Sequence, residues 1–195
     1  GRERQQYSGD GAHLLHATRL VGGDRQLARR FLRSFPLGQA PDGYFLDCWP
    51  AWDRLNRIAQ RQVGATPWGP LLDHGVTLVW DAWRHHRESG DTDVVVDLLP
   101  RFVRFAEYLL ARRGRDGLLP VEGWGVPAVW IDNCFPRPRH KQCAFNLFTA
   151  AVLKYALAPI AALAGDPAGE KRWAAAGDAL LAAAVGRFWS RERGL

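Results

Sequence analysis

Residues 71–113 read LLDHGVTLVWDAWRHHRESGDTDVVVDLLPRFVRFAEYLLARR, with Gly90-Asp91 near the middle. From Leu71 to Ser89 the apolar residues recur at helical spacing, and a second helical pattern follows Asp91 and runs to about Arg113. A glycine readily takes the left-handed conformation that ends one helix, and an aspartate is a good cap for the start of the next. This stretch therefore predicts an αα-hairpin.

The same arrangement occurs three times along the chain. Gly-Asp pairs lie at 23–24, 90–91 and 165–166, and a trailing glycine followed by apolar residues lies at Gly43, Gly117 and Gly194. The helices predicted around the first and third pairs span about 10–21, 24–35, 142–164 and 168–189. The pairs are 67 residues apart (23 to 90) and then 75 (90 to 165), about twice the period of short two-helix solenoid repeats.

Two long irregular stretches, 46–70 and 120–140, account for the long period and carry several tryptophans and prolines. Loops of this length inside a compact domain usually carry function. Stacked hairpins whose long loops gather at one end describe an α/α toroid better than an open solenoid. The sequence therefore predicts an all-α fold, an (α/α)6 toroid of which about half the ring is present, with 1–195 forming one partial domain.

Composition excludes several classes of function. The net charge is +6, but the basic residues are scattered and alternate with acidic ones, which argues against nucleic-acid binding. The absence of about 18 consecutive apolar residues argues against a membrane span. The chain contains no methionine and ends at Leu195, so we interpret it as a piece of a longer protein, and its compartment stays open.

The chain offers no pattern for a bound metal or cofactor. Cys48, Cys134 and Cys143 are odd in number and lack a CxxC pair, which indicates buried thiols rather than a disulfide framework or a zinc site. His13 and His16 have metal-ligand spacing but no carboxylate partner on their helix. We expect neither a metal nor a cofactor.

The first ten residues carry two carboxylates, Glu3 and Asp10, with Arg2 and Arg4 around the first. Gly9 permits an unusual backbone turn, and Asp10 is a good N-cap for the following helix. A carboxylate beside arginine is more often a surface ion pair than a catalytic group, so this pattern alone leaves both interpretations open.

The segment Arg2-Glu-Arg-Gln-Gln-Tyr-Ser-Gly-Asp10 resembles glycoside hydrolase family 78, the α-L-rhamnosidases and their relatives. There an Arg-Glu/Asp-Glu-Arg-like run leads to an aromatic residue and Gly-Asp. The resemblance continues over the whole chain, more loosely, through 41–43, 70–73, 87–91, Trp130-Ile-Asp132 and Asn146. In this chain Tyr7 stands where the family often has tryptophan, and an aspartate and Cys-Pro that often lie upstream would precede Gly1.

The resemblance implies a six-hairpin toroid that hydrolyses glycosidic bonds with inversion, and a carbohydrate partner. By this resemblance Glu3 matches the general acid and Asp10 the aspartate that holds the substrate, while the catalytic base lies several hairpins later. The further substrate-binding candidates are Arg4, Tyr7, Asp73, Trp124, Trp130 and Asp132. Loop tryptophans suit stacking on a sugar but can equally cap the core, and Asp73 and Asp132 can equally cap helices.

Two other functions fit the same pattern. One is another toroid glycosidase, acting on glucosides or uronides. The other is a non-catalytic α-helical repeat scaffold, which would carry its binding residues on its helices. If the chain is a glycosidase, Glu3, Asp10, Asp73 and Asp132 should converge on one end of the helices. The sugar, the linkage and the oligomeric state stay open.

Overall fold

The computed structural model describes residues 6–22, 25–46, 48–50, 71–123, 128–131, 138–192 and 194. Within these ranges the helices form three hairpins, as predicted. The first consists of α1 (Ser8–Leu20) and α2 (Arg25–Ser34), the second of α3 (Leu72–Ser89) and α4 (Thr92–Leu110). The third consists of α5 (Pro138–Val152), a π-helical turn (Leu153–Leu157) and α6 (Ala158–Leu163), which form one rod, followed by α7 (Pro167–Phe188).

Glycines with positive φ mark both ends of the repeat. Inside the hairpins these are Gly22 (76°), Gly90 (73°) and Gly165 (74°), and after them Gly43 (113°), Gly117 (79°) and Gly194 (65°). Side chains other than glycine rarely adopt such φ values, so the repeated glycines have a steric cause. In the first hairpin the left-handed residue is Gly22, and the predicted pair at 23–24 lies outside the described residues.

The predicted aspartate caps have different outcomes. Asp166 caps α7, since its carboxylate accepts the N–H of Gly169 at 2.8 Å. Asp91 stands at the N-cap of α4, and its carboxylate accepts hydrogen bonds from Arg29 and His85. The prediction that Asp10 is an N-cap is wrong. The helix begins earlier, with Tyr7 in extended conformation as its N-cap, and Asp10 lies in the first turn of α1.

The first helices of the three hairpins lie side by side, α1 against α3 and α3 against α5. The second helices cover them, with α2 against α4 and α7 against the rod of α5 and α6. Glycines let the two layers approach closely near the start of the first helices. Gly11 of α1 lies under the ring of Phe31, and Gly75 of α3 lies under Phe105, so that an added Cβ would overlap each ring.

The rod of the third hairpin is long and apolar enough, over Arg139–Leu163, to cross a membrane by length and composition. It packs on α3, α4 and α7, and 56% of its most apolar window is buried, which is typical of a core helix. Buried Cys48 and half-buried Cys143 lie outside any disulfide, while Cys134 lies outside the described residues.

Candidate active site

The N-terminal ends of α1 and α3 meet. The hydroxyl of Ser8, which is fully buried, donates a hydrogen bond to the carbonyl oxygen of His74 at 2.7 Å. Gly9 faces the imidazole of His74, and a Cβ built on it would lie 3.0 Å from Nε2. A small residue at position 9 therefore allows the first turns of the two helices to touch.

The chain just before α1 is held by the segment at 48–49. The N–H of Trp49 donates to the carbonyl of Gln6 at 3.0 Å, and the side-chain amide of Gln6 donates to the carbonyl of Trp49, also at 3.0 Å. Tyr7 forms an isolated antiparallel bridge with Cys48. These contacts fix the backbone that follows Glu3 and Arg4, two candidates that themselves lie outside the described residues.

Asp73 lies in the first turn of α3 and is only 5% exposed. Its Oδ1 accepts the N–H of Trp130 at 3.0 Å, and its Oδ2 accepts the N–H of Ile131 at 2.5 Å. In addition, the N–H of Leu72 donates to the carbonyl of Ala128 at 2.8 Å. Segment 128–131 is therefore attached to the start of α3, the helix whose first turn also contacts the start of α1.

The structure brings four of the candidate residues to one end of the hairpins. Asp10 is exposed in the first turn of α1, Tyr7 is half-buried just before it, and Asp73 binds the backbone of Trp130, whose side chain is 38% exposed. The other candidates, Glu3, Arg4, Trp124 and Asp132, lie outside the described ranges. Among the described carboxylates of the predicted set, Asp10 and Asp73 lie in the first turns of two neighbouring helices.

Sequence reasoning missed His74 as a member of this cluster. Its ring packs on Gly9, its carbonyl accepts the Ser8 hydroxyl, and its buried Nδ1 has no hydrogen-bond partner among the described residues. In the sequence His74 is one polar residue in the first turn of an amphipathic helix. Only the repeat could have indicated His74. Gly11 and Gly75 occupy equivalent positions in α1 and α3, and the residues that precede them, Asp10 and His74, therefore lie at the same end of the two helices.

Asn146, which the family resemblance includes, has a structural role in this chain. It is completely buried, its Oδ1 accepts the N–H of Leu119 at 2.7 Å, and its Nδ2 donates to the carbonyls of Leu119 at 3.0 Å and Gln142 at 2.8 Å. A buried amide is tolerated when its polar atoms are paired in this way. Asn146 thus fastens the chain after α4 to α5.

A second polar cluster lies at the opposite end of α1 and α3. The Nδ1 of buried His85 accepts a hydrogen bond from Arg19 of α1 at 2.8 Å, and its Nε2–H donates to Asp91 at 3.2 Å. Asp91 also accepts from Arg29 of α2 at 3.0 Å, and Arg19 forms an ion pair with Glu88. The cluster therefore joins the first hairpin to the second.

Burial, hydrogen bonds and neighbouring charges set the pKa values of this cluster and of Asp81, which lies one helical turn before His85 on α3. Burial lowers the pKa of His85, the charge of Arg19 acts in the same direction, and the hydrogen bond to Asp91 opposes both. Burial raises the pKa of Asp81 from its ordinary 3.8 to about 7, in spite of the opposing charges of Arg84 and Arg19. For Asp91 burial acts upward too, but the hydrogen bond from His85 and the charge of Arg29 outweigh it, so its pKa is lowered.

The whole chain, residues 1–195, matches the family model described as bacterial alpha-L-rhamnosidase 6 hairpin glycosidase domain. The chain belongs to this family. The match confirms the resemblance seen in the sequence and the six-hairpin toroid as the fold class, of which three hairpins are described here. No curated protein matches the chain.

Solved rhamnosidases share the fold of this six-hairpin glycosidase domain. The rhamnosidase from Klebsiella oxytoca with rhamnose bound has a TM-score of 0.77 and 20% identity, covering 100% of this chain and 35% of its own. The GH78 rhamnosidase of Bacillus sp. GL1 has a TM-score of 0.72 and 18% identity, and the match covers 98% of this chain and 18% of that rhamnosidase. The α-L-rhamnosidase from Dictyoglumus thermophilum has a TM-score of 0.68 and 17% identity, and the match covers 97% of this chain and 20% of that rhamnosidase. The chain thus spans about a third or less of these relatives.

Proposed function

We propose that the protein is an inverting glycoside hydrolase that removes a terminal α-L-rhamnosyl or related sugar, with Glu3 as its general acid. One observation carries the proposal. The segment that follows Glu3 in the family motif, residues 6–10, lies against the turn of α3 that carries Asp73, and Asp73 in turn binds the backbone of Trp130. Candidate residues far apart in sequence thus share one end of the helices, where a toroid has its loops.

The chemistry requires two carboxyl groups on opposite faces of the sugar. In this proposal protonated Glu3 gives its proton to the glycosidic oxygen as the bond to the anomeric carbon breaks, and a water attacks that carbon from the other face. A second carboxylate takes the proton of the water, and the two groups stand about 6.5–9.5 Å apart to leave room for it. We expect the base to come from hairpins beyond residues 1–195.

The remaining candidates would bind the sugar. Asp10 and Arg4 would hydrogen-bond to its hydroxyls, and Asp132 would do so from the segment after Ile131. Tyr7, Trp124 and Trp130 offer aromatic faces for its apolar side. The exposure of the Trp130 side chain, whose backbone is held by Asp73, supports this role. Burial or a neighbouring carboxylate such as Asp10 or Asp132 would keep Glu3 protonated near neutral pH.

A carbohydrate is therefore the proposed partner, and we propose no nucleic-acid or membrane partner. The rhamnose bound to the Klebsiella oxytoca rhamnosidase supports this class of sugar. The specific alternative is a toroid glycosidase for glucosides or uronides, which Tyr7 keeps open because it replaces the family's frequent tryptophan. A non-catalytic scaffold fits less well, since the gathered residues lie at helix ends rather than along helix faces.

Two measurements on the whole protein test the proposal. The first compares its hydrolysis of aryl α-L-rhamnoside, β-D-glucoside and β-D-glucuronide, with a clear preference expected for the rhamnoside. The second follows the first-formed sugar by proton NMR, where inversion of an α-rhamnoside yields β-rhamnose. A preference for another glycoside would support the alternative, and α-rhamnose as the first product would contradict the inverting mechanism.

A further inference from the structure

We propose that Asp73 is a positioning residue, which holds the backbone of Trp130 so that the Trp130 ring faces the sugar, and that Asp73 does not bind the sugar itself. This inference rests on the proposed function. It assigns Asp73 a different role from direct substrate binding, the role that its place at a loop–helix junction suggests in the sequence.

Both carboxylate oxygens of Asp73 already have protein partners. Oδ1 accepts from Trp130 and Oδ2 from Ile131, so the two consecutive amides bind the carboxylate as a fork. Hydrogen bonds to an ionised acceptor are roughly twice as strong as neutral ones. With only 5% of Asp73 exposed, little of its surface is left for a sugar hydroxyl.

We call the two hydrogen bonds from the Trp130 and Ile131 amides to Asp73 the clamp. It holds a segment in which two buried residues are followed by a partly exposed one. Ala128 and Val129 are 0% and 3% exposed, and the carbonyl of Ala128 accepts the N–H of Leu72. Trp130 follows with a 38% exposed side chain. Two buried apolar residues are thus anchored beside the start of α3, and the partly exposed Trp130 follows them directly.

The same turn of α3 sets the position of Trp130 relative to the family motif. His74 follows Asp73 directly, and its carbonyl accepts the Ser8 hydroxyl while its ring contacts Gly9. A change in the clamp would therefore move Trp130 without moving residues 8–10, which are fixed to α3 by contacts of their own. Asp73 acts on the site through Trp130.

Asp73→Asn tests the clamp with little change in size, because it replaces one acceptor oxygen by an NH₂ donor that would face a backbone N–H. In the whole protein we expect faster amide hydrogen exchange in a peptide covering 129–131. The matched control is Asp93→Asn. Asp93 is likewise the second residue of its helix, α4, but it is exposed, so exchange in 129–131 should stay as in the wild type. Unchanged exchange in Asp73→Asn would overturn the proposal.

A double-mutant cycle separates positioning from direct binding. Rhamnose affinity is measured for the wild type, Asp73→Asn, Trp130→Ala and the double variant. We expect each single change to weaken binding by about tenfold or more, as for a buried aromatic anchor. The double variant should bind no more weakly than Trp130→Ala, because Asp73 acts through that ring. Additive losses would mean that Asp73 touches the sugar, and an unchanged affinity of Trp130→Ala would also overturn the proposal.

Asp73→Glu serves as a second variant should Asp73→Asn fail to fold, since it keeps both acceptor oxygens on a longer arm. We expect it to retain part of the rhamnose affinity and part of the exchange protection together. Loss of the rhamnose affinity with the exchange protection retained, or the reverse, would contradict the inference. If the wild-type protein binds and cleaves no rhamnoside, the proposed function fails, while the exchange measurement still reports on the clamp.

Discussion

The hydroxyl of Ser8 and the carbonyl oxygen of His74 lie 2.7 Å apart and join the first turns of α1 and α3. Ser8 belongs to the motif that resembles the family's acid segment, and His74 follows Asp73. Together with the contact of Gly9 and the His74 ring, this bond positions a segment at the start of the chain against a segment 66 residues later.

Removing this bond should weaken the junction of the two hairpins. In Ser8→Ala the carbonyl of His74 loses the Ser8 hydroxyl as a donor but remains part of helix α3, and we expect a loss of about 0.5–1.5 kcal/mol in the free energy of unfolding. Urea denaturation of the whole protein measures it. Ser190→Ala, outside the helices and half-buried, is the control. Equal stability of both variants would show that the Ser8 bond contributes nothing.

Two glycines of α7 should respond to alanine in opposite ways. A Cβ on Gly177 would lie 2.7 Å from the carbonyl oxygen of Ala150, so Gly177→Ala should destabilise the third hairpin by about 1–3 kcal/mol. A Cβ on Gly186 would meet nothing within 4 Å, so Gly186→Ala should stabilise the helix by about 1 kcal/mol. The melting temperatures of both variants measure these changes in stability. A shift of the same sign in both variants would contradict the packing of α7 on α5.

The buried carboxyl of Asp81 should make stability depend on pH. Because its pKa is raised from 3.8 to about 7 in the folded state, its contribution is fully present below pH 3.8 and is lost as the pH rises to about 7. Asp81→Asn removes this dependence. At about 1.4 kcal/mol per pKa unit, the variant should gain a few kcal/mol relative to wild type between pH 4 and pH 8.

The measurement is the difference in unfolding free energy between wild type and Asp81→Asn at several pH values. Taking the difference cancels the opposite contribution of His85, whose lowered pKa makes stability fall on acidification. Asp97→Asn is the control, since the Asp97 side chain is 70% exposed. A difference that stays flat from pH 4 to pH 8 would mean that Asp81 titrates as an ordinary surface carboxyl.

Residues 1–195 on their own should fold poorly. Large apolar side chains are exposed on both outer hairpins, including Leu20 (75%) and Val21 (84%) at the end of α1, and Tyr155 (57%) and Trp189 (55%) in the third hairpin. Burying one such side chain is worth roughly 1.5–3 kcal/mol, whereas a whole domain is stable by about 5–15 kcal/mol. We expect association and a broad thermal transition by circular dichroism. A sharp transition of a monomer would refute this.

The hairpins could be predicted because their signal is local. A glycine at a left-handed turn and a helical apolar pattern act over a few residues, and Asp166 caps α7 for the same reason. The predicted start of α1 differs from the structure because Asp10 is a good N-cap by residue type, whereas contacts of Ser8 and Gly9 with α3 extend the helix back to Ser8. The clamp of Asp73 could not be predicted, since its partners are backbone amides 57 and 58 residues later that leave no mark in the sequence.

Glu3→Gln in the whole protein tests whether Glu3 is the general acid of a rhamnosidase. On an α-L-rhamnoside with a poor leaving group we expect the rate to fall about 10²–10⁴-fold, the usual contribution of acid–base assistance. An activated aryl rhamnoside, which needs no proton on its leaving oxygen, should lose far less. Glu170→Gln, an exposed site on α7, should keep the wild-type rate on both. A Glu3→Gln protein with near wild-type rate on the poor leaving group would mean that Glu3 is not the general acid.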